Sequence, residues 1–152
     1  LLTFSKTRLK VEIGEITLIT KLINSTFPDY ESVIPQEEEQ IMKVDCKKFS
    51  ETIDRVSTIS NEKFRTVRFK INENLCVVSS SGNDKSTGTE SIDVQYKGPE
   101  ININFNSRYI LDVLSLIKDG KVSFNFSKKT SPTVLKSDSF KNVLFLIMQM
   151  RA

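Results

Sequence analysis

The chain has 152 residues, 38% of them hydrophobic and 27% charged, with a net charge of +3, which is the composition of an ordinary globular domain. That length suffices for one core and excludes a multidomain enzyme. The absence of histidine excludes Ser-His-Asp and Cys-His nucleophile systems, a histidine general base and His-ligated metal sites.

The chain opens on Leu1 inside what already reads as structure, as expected of a piece of a longer protein. Leu1-Leu2-Thr3-Phe4-Ser5-Lys6 does not read as a signal peptide, and no apolar run approaches the ~20 residues of a membrane span. Leu9, Val11 and Ile13 alternate with Lys10 and Glu12, the period-two pattern of a strand with one buried face. Residues 1–34 hold two or three strands and no helix, ending near the turn-rich Phe27-Pro28-Asp29-Tyr30. Polar, acidic Ile34-Pro35-Gln36-Glu37-Glu38-Glu39-Gln40 then reads as a crossing between domains, so 1–34 and 35–152 are expected to be separate units.

Phe49, Ile53 and Val56 have helical spacing. Lys63 to Val78 reads as a hairpin turning at Asn72-Glu73-Asn74, with Val67, Phe69 and Ile71 on its buried face. Polar residues from Ser79 to Gly88 read as one long, mobile loop. Ile92, Val94 and Tyr96 alternate next, followed by Ile101, Ile103 and Phe105. A second helix is expected from Tyr109, Ile110, Val113, Leu114 and Ile117, and a further strand from Val122, Phe124 and Phe126. Cys46 and Cys76 lack C-x-x-C spacing and read as core thiols in a reduced, cytoplasmic interior.

The order strand, helix, three strands therefore occurs twice, over about 40–97 and 100–150, with Phe49 matching Tyr109 and Ile53 matching Val113 at a spacing of sixty. The expected fold class is α+β: a duplicated unit with internal pseudo-twofold symmetry, two helices on one face and antiparallel sheets on the other.

Four collinear stretches carry a family resemblance: Lys21-Leu22 through Phe27-Pro28-Asp29-Tyr30 to Val33-Ile34-Pro35; Ser60-Asn61-Glu62-Lys63-Phe64-Arg65; Asn106-Ser107-Arg108-Tyr109-Ile110-Leu111-Asp112-Val113-Leu114; and Leu146-Ile147-Met148-Gln149-Met150-Arg151. With them the chain resembles the bacterial DNA polymerase III beta subunit family, the sliding clamps. The resemblance implies the end of a middle domain over 1–34 and a complete third clamp domain over 35–152. It also implies a non-enzymatic, cytoplasmic processivity protein without cofactor or metal. The whole protein would be a homodimeric ring around duplex DNA.

The same resemblance implies three surfaces. Pro28, Ser32, Val33, Thr130, Pro132, Leu146, Met148, Gln149, Met150 and Arg151 would form a hydrophobic pocket for Gln-Leu-x-Leu-Phe peptides of polymerases, the clamp loader and repair proteins. Flexible methionines suit such shared docking, although the same tail also reads as a last core strand. Gln149 stands where the family usually has Pro, and Ser32 where Arg is common; the opposite pocket wall would lie upstream of Leu1. Lys47, Lys48, Arg55, Arg108 and Lys118 would face DNA, holding phosphates without reading sequence, and weakly in this piece alone; a solvated helix face fits them equally. Thr58, Ile59, Asp84 and Glu90 would lie on the ring-closing surface, without which this chain is expected to be a monomer. Two further readings are a small carboxylate-dependent nuclease using Glu37, Glu38 and Glu39 with Asp84 and Asp93, and a truncated, free peptide-binding module.

Overall fold

The computed structural model describes residues 1–27, 29–35, 40–61, 64–83, 86–127 and 132–150. Two units divide the chain, Leu1–Tyr30 and Glu31–Ala152.

In the first unit, β1 (Leu2–Phe4), β2 (Arg8–Ile13) and β3 (Ile16–Lys21) form an antiparallel sheet in that order. The register sets Leu2 and Leu18 against Val11, Phe4 against Leu9, and Ile13 against Ile16, so these side chains share one face. Leu2, Phe4, Ile13, Ile16 and Leu18 are exposed there, which leaves an apolar sheet face open to water.

The second unit begins with a 3-10 turn, Glu31–Val33. Then come β4 (Gln40–Asp45), α1 (Cys46–Ser57), β5 (Thr66–Asn72), β6 (Leu75–Ser81) and β7 (Thr87–Asp93). The pattern repeats as β8 (Ile101–Asn106), α2 (Ser107–Ile117), β9 (Lys121–Phe126), β10 (Thr133–Ser137) and β11 (Phe145–Ile147). The sheets are ordered β11-β10-β9-β4 and β7-β6-β5-β8, antiparallel throughout. Each repeat thus lends its first strand to the other repeat's sheet.

Both helices start in the same way. Asp45 Oδ1 accepts from Lys48 N at 2.9 Å, and Asn106 Oδ1 accepts from Arg108 N at 3.0 Å, each satisfying a donor the helix start leaves open. These caps lie 61 positions apart, and so do the buried pairs Phe49 and Ile110, Ile53 and Leu114, and Val56 and Ile117. The expected spacing of sixty is therefore short by one: Tyr109 is 59% exposed, and Ile110 is the buried counterpart of Phe49. Two adjacent apolar residues left the helical phase ambiguous, and packing of α2 on α1, β8 and β11 chose Ile110.

The helices run antiparallel, because the start of each meets the segment following the other. Cys46 N donates to Gly120 O at 2.9 Å, and Ser107 N to Arg65 O at 2.8 Å. Gly120 (φ 78°) and Arg65 (φ 47°), each just before its repeat's second strand, both turn through positive φ to present that carbonyl. Glycine adopts this conformation freely, whereas arginine is strained there.

Phe69 lies at the centre of the core, 5.2 Å from Phe49, 5.3 Å from Phe105 and 6.4 Å from Phe124 between ring centres. One helix and strands of both sheets therefore meet on a single ring. Cys46 and Cys76 are buried. Burial pushes the Cys76 thiol up to about 12 and, with Asp45 and Asp119 nearby, raises Cys46 as well, so both stay protonated and inert.

Half of the expected loop from Ser79 to Gly88 is strand, since β6 runs to Ser81, which pairs with Thr87. Ladder hydrogen bonds do not require apolar side chains, and Ser80 is buried with its Oγ donating to Thr66 O at 2.9 Å. At Gly88 a Cβ would come within 2.8 Å of Ile59 Cδ1, so its bare backbone admits the end of α1.

Thr133 Oγ1 is buried without a hydrogen-bond partner among the described residues. Thr133→Val keeps the shape and removes that unpaired hydroxyl. The variant is expected to be about 1 kcal/mol more stable, read as a rise in Tm of about 2–4 °C.

Candidate functional site

After β11 pairs with β10, the chain crosses to the other sheet, where Met150 N donates to Asn104 O of β8 at 2.8 Å. This bridge suspends residues 146–150 beside the start of α2. The result is an open groove of about 400 Å³ lined by Leu146, Ile147, Met148, Gln149 and Met150 on one side and by Asn106 and Tyr109 on the other. Ile147 is buried and anchors the segment, whereas Met148 is 61% exposed. Thr66 Oγ1 donates to Met150 Sδ at 3.7 Å, which steadies the second methionine. The lining is apolar with amide and phenol groups at its edge. Such a groove can take an aliphatic or aromatic side chain and hydrogen-bond the backbone beside it.

Of the pocket residues expected from sequence, Leu146, Met148, Gln149 and Met150 come together here. Pro28, Thr130 and Arg151 lie outside the described residues. Ser32 and Val33 are exposed on the 3-10 turn and Pro132 is buried before β10; none of the three lines the groove. Sequence reasoning missed Asn106 and Tyr109. The available signal was an aromatic on the first turn of α2, one residue out of step with the buried stripe.

The cations expected to face DNA are all exposed. The start of α1 abuts the end of α2, so Lys47, Lys48 and Lys118 share one end of the helix pair, and Arg55 and Arg108 belong to the other. Neither helix has an acidic residue in its first turn. Lys47, Lys48 and Arg108 therefore sit near the positive ends of the helix dipoles; the Asp45 cap carboxylate offsets this at α1, whereas α2 has the neutral cap Asn106, so Arg108 costs about 0.3–1 kcal/mol unless an anion is near.

Arg55 is also tied to β7: its Nη2 lies 2.6 Å from Glu90 Oε1 and its Nε 3.1 Å from Oε2, while Thr52 Oγ1 donates to the same carboxylate at 3.1 Å. Two surfaces separate in the sequence reading thus meet in one ion pair. Thr58 and Ile59 lie beside it at the end of α1, and Asp84 lies outside the described residues. The hydrogen bond from Arg55 holds the Glu90 carboxyl below its ordinary value, against a smaller opposing effect of burial. A lowered carboxylate pKa contributes stability above the unfolded value and loses it as pH falls through the folded one. Glu90→Gln is therefore expected to be less stable than the parent near neutral pH and to converge with it below about pH 4, as thermal melts across that range would show.

Residues 31–151 match the family described as DNA polymerase III beta subunit, C-terminal domain. The chain belongs to this family. The beta sliding clamp of Caulobacter vibrioides is 32% identical over 150 residues, covering 99% of this chain and 40% of that protein. The Caulobacter crescentus pol III beta structure is also 32% identical, with a TM-score of 0.84 over 99% of this chain and 41% of that one. A DnaN sliding clamp of Bartonella birtlesii, solved bound to griselimycin, is 29% identical with a TM-score of 0.83, covering 99% and 41% of the two chains. The clamp homologues account for the α+β architecture, and this chain spans about two fifths of their length. No helix among the described residues is long and apolar enough to cross a membrane.

Proposed function

We propose that this chain is the C-terminal part of a bacterial replication processivity clamp, a non-catalytic, cytoplasmic protein that tethers others to DNA. Residues 1–34 end a middle domain and begin the crossing out of it, and 35–152 form the third clamp domain. The exposed apolar face of β1, β2 and β3 supports this, because it needs the remainder of a domain to cover it. In the whole protein two chains close a homodimeric ring around duplex DNA. Lys47, Lys48, Arg55, Arg108 and Lys118 then meet phosphates without reading sequence. The dipole cost of Arg108 at the start of α2 fits this role, since an anion offsets it.

The observation that carries the proposal is the groove between Tyr109 and Met148, in a chain of the clamp family. It takes the apolar side chains of Gln-Leu-x-Leu-Phe peptides from polymerase, clamp loader and repair proteins. Sharing one groove makes those partners compete. The test is fluorescence anisotropy of a labelled Gln-Leu-x-Leu-Phe peptide titrated with this chain; saturable binding supports the reading, and its absence from folded protein removes the groove as a sufficient site.

Thr58, Ile59, Asp84 and Glu90 form the ring-closing surface, whose partner is a first domain. This chain by itself is therefore expected to sediment as a monomer at micromolar concentration, and a stable dimer would contradict that assignment. The carboxylate-nuclease reading is not favoured, because the family is that of a sliding clamp.

A further inference from the structure

A second groove, of about 850 Å³, lies on the opposite side of the β11-β10-β9-β4 sheet from the core. Lys43 of β4 and Lys136 of β10 both stand opposite Ser123 of β9, with Lys121 two residues along the same face. Their sequence neighbours Met42, Val44, Val122 and Leu135 are buried, so strand alternation turns these lysines outward. Lys141 closes the cluster from the turn after β10, and Asp138 is the single acid in the lining. None of the ion pairs Lys10–Glu12, Arg55–Glu90 and Lys70–Glu100 uses Lys43, Lys121 or Lys141. Like charges gathered on one face repel one another until an anion neutralises them.

The other wall is apolar: Phe140, Val143 and Leu144 line it and are 37%, 43% and 42% exposed. This pairing of walls distinguishes between polyanions. A single-stranded nucleic acid needs stacking platforms and favours arginine, and this groove has one phenylalanine and no arginine. It would leave Val143 and Leu144 unused. A peptide with carboxylates on one side and aliphatic side chains on the other satisfies both walls. Lysine suits carboxylates at variable positions, since its ammonium is a point charge on a flexible stem.

We propose that this groove docks an acidic, aliphatic-anchored peptide segment of a partner protein, independently of the groove at Met148. Carboxylates lie on the lysines, and an aliphatic side chain packs on Val143 and Leu144.

The test is anisotropy of a fluorescein-labelled Glu-Asp-Val-Glu-Asp-Ile-Glu-Asp peptide with the full chain at low salt, beside its Gln/Asn twin and labelled oligo-dT. Saturable binding of the acidic peptide alone is expected, weakened roughly tenfold or more by K121E/K141E and also reduced by Leu144→Ser. An unlabelled Gln-Leu-x-Leu-Phe peptide should not displace it, whereas displacement would assign the binding to the other groove and overturn the proposal. A charge-inverted peptide, with Lys for Glu and Asp, should bind the K121E/K141E variant better than the parent. Equal binding of the amide twin, an unchanged affinity in K121E/K141E, or oligo-dT binding as tightly and competitively would each overturn it.

Discussion

Phe69→Ala is expected to destabilise the Glu31–Ala152 unit by about 3–5 kcal/mol, the usual range for a buried phenylalanine. The upper part of that range is expected because the ring is fully buried and touches Phe49 of α1, Phe105 of β8 and Phe124 of β9. Removing it separates a helix from both sheets at once, and surrounding aromatic rings cannot collapse into the space without abandoning their own tilted contacts. Domains are stable by only about 5–15 kcal/mol, so much of the total would be lost. Urea denaturation would show a much lower midpoint with the slope retained. Phe140→Ala, at a side chain 37% exposed, serves as the control and should change the midpoint far less. A loss below about 1 kcal/mol for Phe69→Ala would mean that the aromatic cluster is not the centre of the fold.

Met148→Ala with Met150→Ala is expected to weaken binding of a Gln-Leu-x-Leu-Phe peptide by about 10- to 100-fold. Covering a methionine side chain fully is worth about 1.5–3 kcal/mol, and each of these is only partly covered before a ligand arrives. Met148 is 61% exposed, so its truncation should leave stability nearly unchanged. Met150 is half-buried and accepts a hydrogen bond from Thr66, so its truncation carries some structural cost. Met148→Ala alone therefore separates the two effects: a weaker peptide affinity at unchanged melting temperature belongs to the groove. Tyr109→Ala, across the groove, should act in the same direction. Binding indifferent to all three would relocate the peptide site away from residues 146–150.

Much of this molecule was legible one strand at a time. Alternation in Val67, Phe69 and Ile71, or in Val122, Phe124 and Phe126, reflects a local geometry in which every second side chain meets the core. The two caps and the repeated order of elements are local as well. Harder to read was the polar run from Ser79, where pairing of backbone groups extends strands that side-chain hydropathy does not mark. The helix phase also failed by one residue at Tyr109, because Tyr109 and Ile110 are both apolar enough to fill a buried position.

By itself the sequence determined the fold class, the duplication, the thiols' burial and, through four short stretches, the family. Only the tertiary structure decided that β4 and β8 exchange sheets, that Arg55 pairs with Glu90, and that Tyr109 faces Met148 across a groove. Each of these joins residues thirty or more positions apart. Local propensity and periodicity report how a segment folds on itself, whereas such pairs are selected by the burial that many segments reach together.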